Sequence, residues 1–417
     1  MSIGYACLTI GVPDANLKSC TAKSLTEEKL LEIISYNLKS LKNIIEYNIK
    51  NNIKLFRISS DLIPFGSSHL NQLSWWNIFS QEFGEIGRKI MDNDIRVSMH
   101  PGQYTVLNSP NDDVVKRAIE DLNYHVKVLD NFGIGENHKI ILHIGGVYND
   151  KEQAIKRFAD NYKRLNDQVK ERLVIENDDK SYNINDVLKI GNGLNIPVVF
   201  DNLHNEINCY DREKSDSYWI SECNKTWREK DGRQKIHYSQ QDPLKKAGSH
   251  SNTIKINKFI EFYESVKGKD IDIMLEVKDK NFSAVKCINS IAENTKIKKL
   301  EEEWGRYKYK VLENSPSNYL EIRKLLKDKT QYPAVKFYNY IEDAMEEEIT
   351  IGNSINTALH VWGYFKNLAD DKEKMSFLKS IEDYKNGKVS IKLIKNKLFK
   401  MAVKYNESYL LNSYYFL

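Results

Sequence analysis

The stretch KIILHIGGVYNDKEQAIKRFADNYKRLNDQVKERLVIEN (139–177) decides the fold. It opens on an apolar run, KIILHI (139–144), passes through a helical pattern over 151–170, and closes on a second apolar run, RLVIEN (172–177). A short, near-continuous run of Ile, Val and Leu is what a strand buried on both faces requires, because the helices of a parallel sheet cover both of its sides. Strand, helix, strand in this order is one β/α unit leading into the next.

The same unit recurs on either side. Toward the N-terminus lie IGYACLTI (3–10), IKLFRIS (53–59) and IRVSMH (95–100). Toward the C-terminus lie IPVVFD (196–201), RQKIHYS (233–239) and IDIMLEV (271–277). Helical patterns fill the gaps, among them 25–51 and 112–132, the latter entered through an Asp-capped SPNDD. Eight β/α units in series predict an α/β fold of TIM type, a closed (β/α)8 barrel. A doubly wound open sheet is the alternative, and a count of eight favours the barrel. Beyond residue 293 the β-rich runs stop. KIKKLEEEWGRYKYK (296–310), IEDAMEEEIT (341–350) and NTALHVWGYFKNL (356–368) all read as helix. The expected organisation is a TIM-barrel domain over 1–293 and a smaller all-α domain over 294–417, joined near Asn294.

Composition narrows the class. The 417 residues are 41% hydrophobic and 29% charged, with 62 Lys+Arg against 58 Asp+Glu. A net charge of +4 means that any nucleic-acid surface must come from local clustering. The five cysteines (Cys7, Cys20, Cys209, Cys223, Cys287) are scattered and form no CxxC pair, which points to a reduced compartment. The opening MSIGYACLTIGVPDA has neither a basic leader nor a long apolar stretch, and no run approaches the roughly 18 apolar residues of a membrane span. These features predict a cytoplasmic protein with no membrane association, and a monomer is expected.

Histidines and carboxylates gather at one kind of position. His100 ends the third run, His143 lies near the end of the fourth, Glu176 ends the fifth and Asp201 the sixth. His204 follows three residues later. His237 is near the end of the seventh run, His250 lies in the loop after it, Glu276 ends the eighth, and His69 lies in the loop after the second. In a TIM barrel the C-terminal strand ends and the loops that follow them surround the active site. Any one of these residues alone reads as a satisfied polar group or an ion-pair partner. Six of the nine histidines and three acids on one rim would be costly without cations to balance them. A mixed nitrogen and oxygen donor set suits Mn²⁺ or Zn²⁺, and nine ligands exceed the four or so of one zinc ion, so two or three divalent ions are expected. Glu176, near the middle of the set, is the natural bridging carboxylate. Clustered divalent ions fit phosphodiester hydrolysis, in which one activates water and another neutralises the phosphate and leaving oxygen. No nucleophile triad is evident.

The motifs carrying these residues are FRISSDLIPFGSSH (56–69), HPGQYTVLNSP (100–110), HIGG (143–146), IENDD (175–179), FDNLHN (200–205), KIHYSQQ (235–241), GSHS (248–251) and LEVKDK (275–280). Together they resemble the UV damage endonuclease family, across nearly all of residues 1–290. The barrel and its metals are also similar to the apurinic endonuclease IV family. The resemblance implies a DNA repair endonuclease acting on double-stranded DNA that carries UV photoproducts, with abasic and other distorting lesions as further candidates. It implies incision immediately 5′ of the lesion, 3′-hydroxyl and 5′-phosphate ends, and Mn²⁺ as preferred metal. It makes His69, His100, His143, Glu176, Asp201, His204, His237, His250 and Glu276 the metal-site residues, with Glu176 and His237 among the catalytic ones. Gln103 and Tyr104 look like the pair that probes the strand opposite the lesion, and Tyr5 looks like a lesion contact. Aromatic faces stack on unstacked bases, amides hydrogen-bond them, and a photoproduct costs less to extrude than a normal pair. Asn108 and Lys280 are candidates for phosphate contact, with a solvated surface role as the alternative.

Two positions depart from the patterns. The family has Asn where this chain has Thr9, so lesion contact there is in doubt. Endonuclease IV carries Asp-x-His where this chain has Lys235-x-His237. An ammonium beside metal ions is electrostatically unfavourable, so either Lys235 is carboxylated by CO₂, as a catalytic residue, or it turns to phosphate.

The C-terminal part resembles a helical domain of uncharacterised function. Trp362, Tyr364 and Phe365 read as core, and Lys392, Lys395, Lys397 and Lys400 read as a solvated helix face rather than a DNA surface. Two rival functions remain. One is a divalent-metal sugar isomerase or epimerase, which moves protons on the same kind of barrel. The other is a non-catalytic DNA-binding protein with a degenerate site.

Overall fold

Eight short parallel strands close into a barrel in sequence order: β1 (Ile3–Ala6), β2 (Leu55–Ile58), β3 (Arg96–Met99), β4 (Ile140–His143), β5 (Leu173–Glu176), β6 (Val198–Asp201), β7 (Gln234–Tyr238) and β8 (Ile271–Leu275). The computed structural model describes residues 1–293 and 295–417, and β1 pairs with both β2 and β8, which closes the ring. The open-sheet alternative is thereby excluded. Almost every strand residue is buried, as strands covered by an outer ring of helices must be. Gly4 shows how tight the ring is: a Cβ there would lie 1.8 Å from the Leu55 carbonyl oxygen.

The expected elements are present with trimmed ends. His100 and Glu276 each lie one residue beyond their strands. The helical pattern over 151–170 is two helices, Lys151–Lys163 and Asp167–Arg172. The break has a local cause: Asn166 accepts a hydrogen bond from the Val169 N–H (2.8 Å), capping the second helix instead of continuing the first.

The interior of the ring departs from an apolar filling. Arg57, Arg96, Lys139, Lys235 and Asp272 are all buried. Arg96 pairs with Asp272 (3.1 Å) and Lys139 with Asp231 (2.6 Å). Such charges are tolerated inside a protein only when partnered, and Lys235 is the exception taken up below.

Two compact units result. One comprises Met1–Ile254 and Glu261–Ile288, the other Lys255–Ile260 and Asn289–Leu417. The expected junction at Asn294 lies outside the described residues. Among the described residues of the second unit there is no strand. IEDAMEEEIT is not one helix: Ala334–Glu346 ends within it, and Thr350 caps Ile351–Trp362, accepting from the Asn353 N–H (3.1 Å). Trp362, Phe365 and Phe377 pack with Leu398 and Met401 in that unit's core. No helix among the described residues is long and apolar enough to cross a membrane.

Candidate metal centre

The strand register puts candidate ligands side by side at the C-terminal rim: His143 pairs with Glu176, and Asp201 with His237. Among the described residues, three groups bring ligand atoms within 4.8 Å of one another. They are His100, His143 and Glu176; Glu176, Asp201 and His204; and Glu176, His237 and Glu276. Glu176 belongs to all three. It is fully buried, with His100 Nε2 3.3 Å and His143 Nε2 3.7 Å from its Oε2, and His237 Nδ1 2.7 Å from its Oε1. His250 Nε2 lies 3.7 Å from Glu276 Oε2, outside the three groups but on their edge.

The polar atoms left over are those a cation would use. Glu176 Oε2, Asp201 Oδ2 and His143 Nδ1 are buried with no hydrogen-bond partner. Buried acceptors of this kind are costly unless a positive charge meets them. The donor set of carboxylates and imidazoles fits divalent ions such as Mn²⁺ or Zn²⁺.

The electrostatics follow from burial and crowding. Burial opposes ionisation of Glu176, yet His237, His143 and His100 together hold its carboxyl well below the usual range. Burial raises the Asp201 carboxyl to about 7, with His204 opposing and the Glu176 and Glu276 charges assisting. At His204 burial favours the neutral ring, but Asp201, Glu176 and Glu276 outweigh it and push the imidazole up to about 9. Burial also holds His237 down to about 4, so its ring is neutral near pH 7.

Two positioning residues escaped the sequence reading. Arg57, in the middle of the apolar run LFRI, sets Nη2 2.5 Å from Glu276 Oε1 and 2.9 Å from His237 Nε2. In the metal-free protein its N–H donates to Nε2, which leaves the His237 proton on Nδ1 to donate to Glu176; an ion held by His237 would take the place of one of these two bonds. An arginine inside a strand buried on both faces was the available signal. Asn177, in IENDD, accepts from the Asp201 N–H (2.9 Å) and donates to the Asp201 carbonyl (3.0 Å). Its own carbonyl accepts from His204 Nδ1 (2.9 Å). One residue thus orients two candidate ligands, as partners behind a metal's ligands do.

The remaining candidates lie apart from these groups. His69 is exposed on the loop after β2 and joins none of the three groups; its backbone carbonyl accepts from the Gln72 side chain. Tyr5 is 0% exposed, packs edge-on against Phe56 and shares hydrogen bonds with Thr9 (2.6 Å) and Asn48 (2.9 Å). Thr9 is buried with it. Asn108 is also buried and donates to the Gly146 carbonyl and to Tyr182, which leaves it no phosphate to meet. Lys235 is 0% exposed, so it does not turn outward to phosphate; its Nζ has no hydrogen-bond partner. Burial, with Arg96 and Arg57 beside it, drives its ammonium well below the usual range.

Gln103 and Tyr104 stand differently. Both are exposed, Tyr104 by 84%, on a loop anchored by Thr105, which donates to Asp121 (2.7 Å). They line a cleft of about 890 Å³ that also touches His143 and His204.

Comparison with known proteins identifies the family. The model of the UV-endonuclease UvdE family matches residues 1–308, and that of a family of proteins of unknown function, DUF1722, matches residues 308–417. A UV DNA damage endonuclease of Clostridium perfringens is 43% identical over 409 residues, 95% of this chain and 96% of its own. One from Bacillus cereus (strain G9842) is 32% identical over 67% of this chain and 88% of its own. The crystal structure of SacUVDE superposes with a TM-score of 0.66 at 41% identity, covering 70% of this chain and 98% of that one. Motifs, barrel and rim residues thus converge on one assignment: the chain belongs to the UV-endonuclease UvdE family of DNA repair enzymes.

Proposed function

We propose that this chain incises double-stranded DNA immediately 5′ of UV photoproducts, leaving 3′-hydroxyl and 5′-phosphate ends, with two or three divalent ions and Mn²⁺ preferred. The observation that carries the reading is the convergence of three ligand groups on Glu176 beside a cleft bearing an exposed Gln–Tyr pair. His100, His143, Glu176, Asp201, His204, His237, His250 and Glu276 would hold the ions. When bound, such ions activate water and neutralise charge on the phosphate and the leaving oxygen. The protein's part is to position and to desolvate. Arg57 and Asn177 fix the ring and carboxylate orientations, and the barrel rim keeps the acids dry enough that their charge counts. Tyr104 offers a stacking face and Gln103 an amide to bases opened by the weakened pairing of a photoproduct. The same reading places the enzyme in the cytoplasm as a monomer, a setting that suits five scattered cysteines that form no CxxC pair. Membership of a nuclease family sets the sugar-isomerase reading aside, and the assembled acid and imidazole set speaks against a degenerate site.

The deciding experiment incubates purified protein with Mn²⁺ and an end-labelled duplex holding one photoproduct. A single cut directly 5′ of the lesion is expected. An uncut duplex, or cutting independent of the lesion, would overturn the proposal.

A second expected result concerns protons. In the metal-free protein His204 is protonated near neutral pH, because its imidazole is pushed up to about 9. Its Nδ1–H donates to Asn177, so Nε2 must lose its proton before it can ligate. Mn²⁺ binding at pH 7.5 should therefore release about one proton, and apparent affinity should rise up to tenfold per pH unit until about pH 9. Calorimetric titration in two buffers of different ionisation enthalpy measures this. A pH-independent affinity between 7 and 9 would contradict it.

A further inference from the structure

The helical unit concentrates its positive charge on one hairpin. Helices Asp371–Lys385 and Ile391–Lys404 and their connection carry ten lysines against four acidic residues, an excess of six in a chain whose net charge is +4. Three of the acids are already engaged. Glu373 takes Lys404 (2.7 Å) and the Tyr405 hydroxyl (2.6 Å), Asp383 lies 4.0 Å from Lys388, and Glu382 accepts from Asn386 (2.9 Å). Lys395 is held by Glu313 (2.5 Å). Among the described residues, Lys372, Lys374, Lys379, Lys385, Lys392 and Lys400 have no acidic partner within 4.0 Å; all six are exposed.

These cations face a shaped surface. Two depressions, of about 330 and 410 Å³, share Lys397 and Lys400. Lys372 and Ser376 line the first, Lys392 and Asn396 the second. Glu373 is the one acid that touches either. Lys397 is kept in place by the Ser376 and Ser380 hydroxyls (2.9 and 2.5 Å), with no carboxylate to neutralise it. Lys392, Asn396 and Lys400 recur every four residues and so share one face. Lys392 and Lys400 stand roughly 12 Å apart along the axis, the span of about three to four phosphates of one strand.

We infer that this hairpin is a second DNA-binding surface, one that holds the phosphate backbone of undamaged duplex independently of sequence. This reverses the expectation of a solvated face: exposed lysines in excess over acids, around two adjoining depressions in a chain that acts on DNA, make a polyanion site. Its occupant is committed by charge complementarity and by covalent linkage to a DNA repair unit, which raises the local concentration of DNA. The inference rests on DNA being the substrate, but not on where the nuclease cuts.

The test uses the full chain and an undamaged, fluorescently labelled duplex, with anisotropy titrations from 50 to 200 mM salt. The variant is Lys372→Ala/Lys392→Ala/Lys400→Ala, with Lys→Arg at the same three positions as control. Loss of three phosphate contacts should weaken binding at least tenfold and reduce the slope of log K against log salt by nearly 3, about 0.9 per contact. The arginine variant should bind like the parent, and thermal melting should be the same for all three proteins. Parental affinity and slope in the alanine variant would overturn the inference, as for a surface that serves an acidic protein instead. Failure of the parent protein to cut a lesion duplex would count against the proposed incision alone, because the salt slope tests the hairpin separately.

Discussion

Glu176→Gln should abolish incision while leaving the barrel folded. Glutamine keeps the shape and can still accept from His237 Nδ1, so the 2.7 Å contact survives. What is lost is the one negative charge common to all three ligand groups. Losing a partner behind a metal's ligands costs about 10–100-fold; losing the shared carboxylate itself should cost well over 100-fold. Three readings should move together. Nicking of a photoproduct duplex falls below detection, bound metal per chain drops by at least one ion, and the proton released by His204 diminishes, because Glu176 is one of the charges that raise its imidazole. Circular dichroism and the chelated protein's melting point should stay near the parent's. A fully active variant with its metal complement intact would dismiss the bridging role.

The second large effect separates stability from activity. Lys235 is buried on β7, two residues before His237 and on the same face of the strand, with Arg96, Arg57 and Asp272 among the charges around it and, among the described residues, no hydrogen-bond partner for its Nζ. Desolvation, reinforced by the two arginines and opposed by Asp272, favours the neutral amine. Lys235→Met removes an unpaired buried donor without leaving a cavity, so the metal-free protein should gain about 1–3 kcal/mol toward denaturant. Incision should nevertheless fall at least tenfold. A neutral lysine can take up CO₂: the nitrogen lone pair forms the N–C bond, the nitrogen gives up one proton, and the side chain ends as a carbamate anion, which the two arginines favour. We propose that this anion replaces the carboxylate that endonuclease IV has at the corresponding position. Parent protein prepared in CO₂-free buffer should lose activity and recover it with bicarbonate. A carbon-13 carbamate signal should appear in the parent and be absent from the variant. A Lys235→Met enzyme as active as the parent would defeat the proposal.

Much of the site was legible along the chain because a parallel barrel is a periodic object. Once eight apolar runs are seen, a histidine or acid at the end of a run is at the rim by construction, and His100, His143, Glu176, Asp201, His204, His237 and Glu276 all fall within the three groups. Loop residues obey no such rule. His69 and His250 both follow strands, yet one is exposed and the other approaches Glu276, since loop conformation depends on contacts far away in sequence. Tyr5 and Thr9 looked available because they open a motif, and they are buried because Asn48 and Phe56, from the next helix and strand, close over them.

The amino-acid order alone therefore determined the fold class, the rim on which the candidate ligands sit and a donor set suited to divalent ions, because hydrophobic period and donor type are local properties. The tertiary structure decided which candidates come together, that Arg57 and Asn177 orient them, and that Lys235 is buried instead of facing solvent. Those are facts of distance and burial between segments far apart in the chain, and no one-dimensional pattern encodes them.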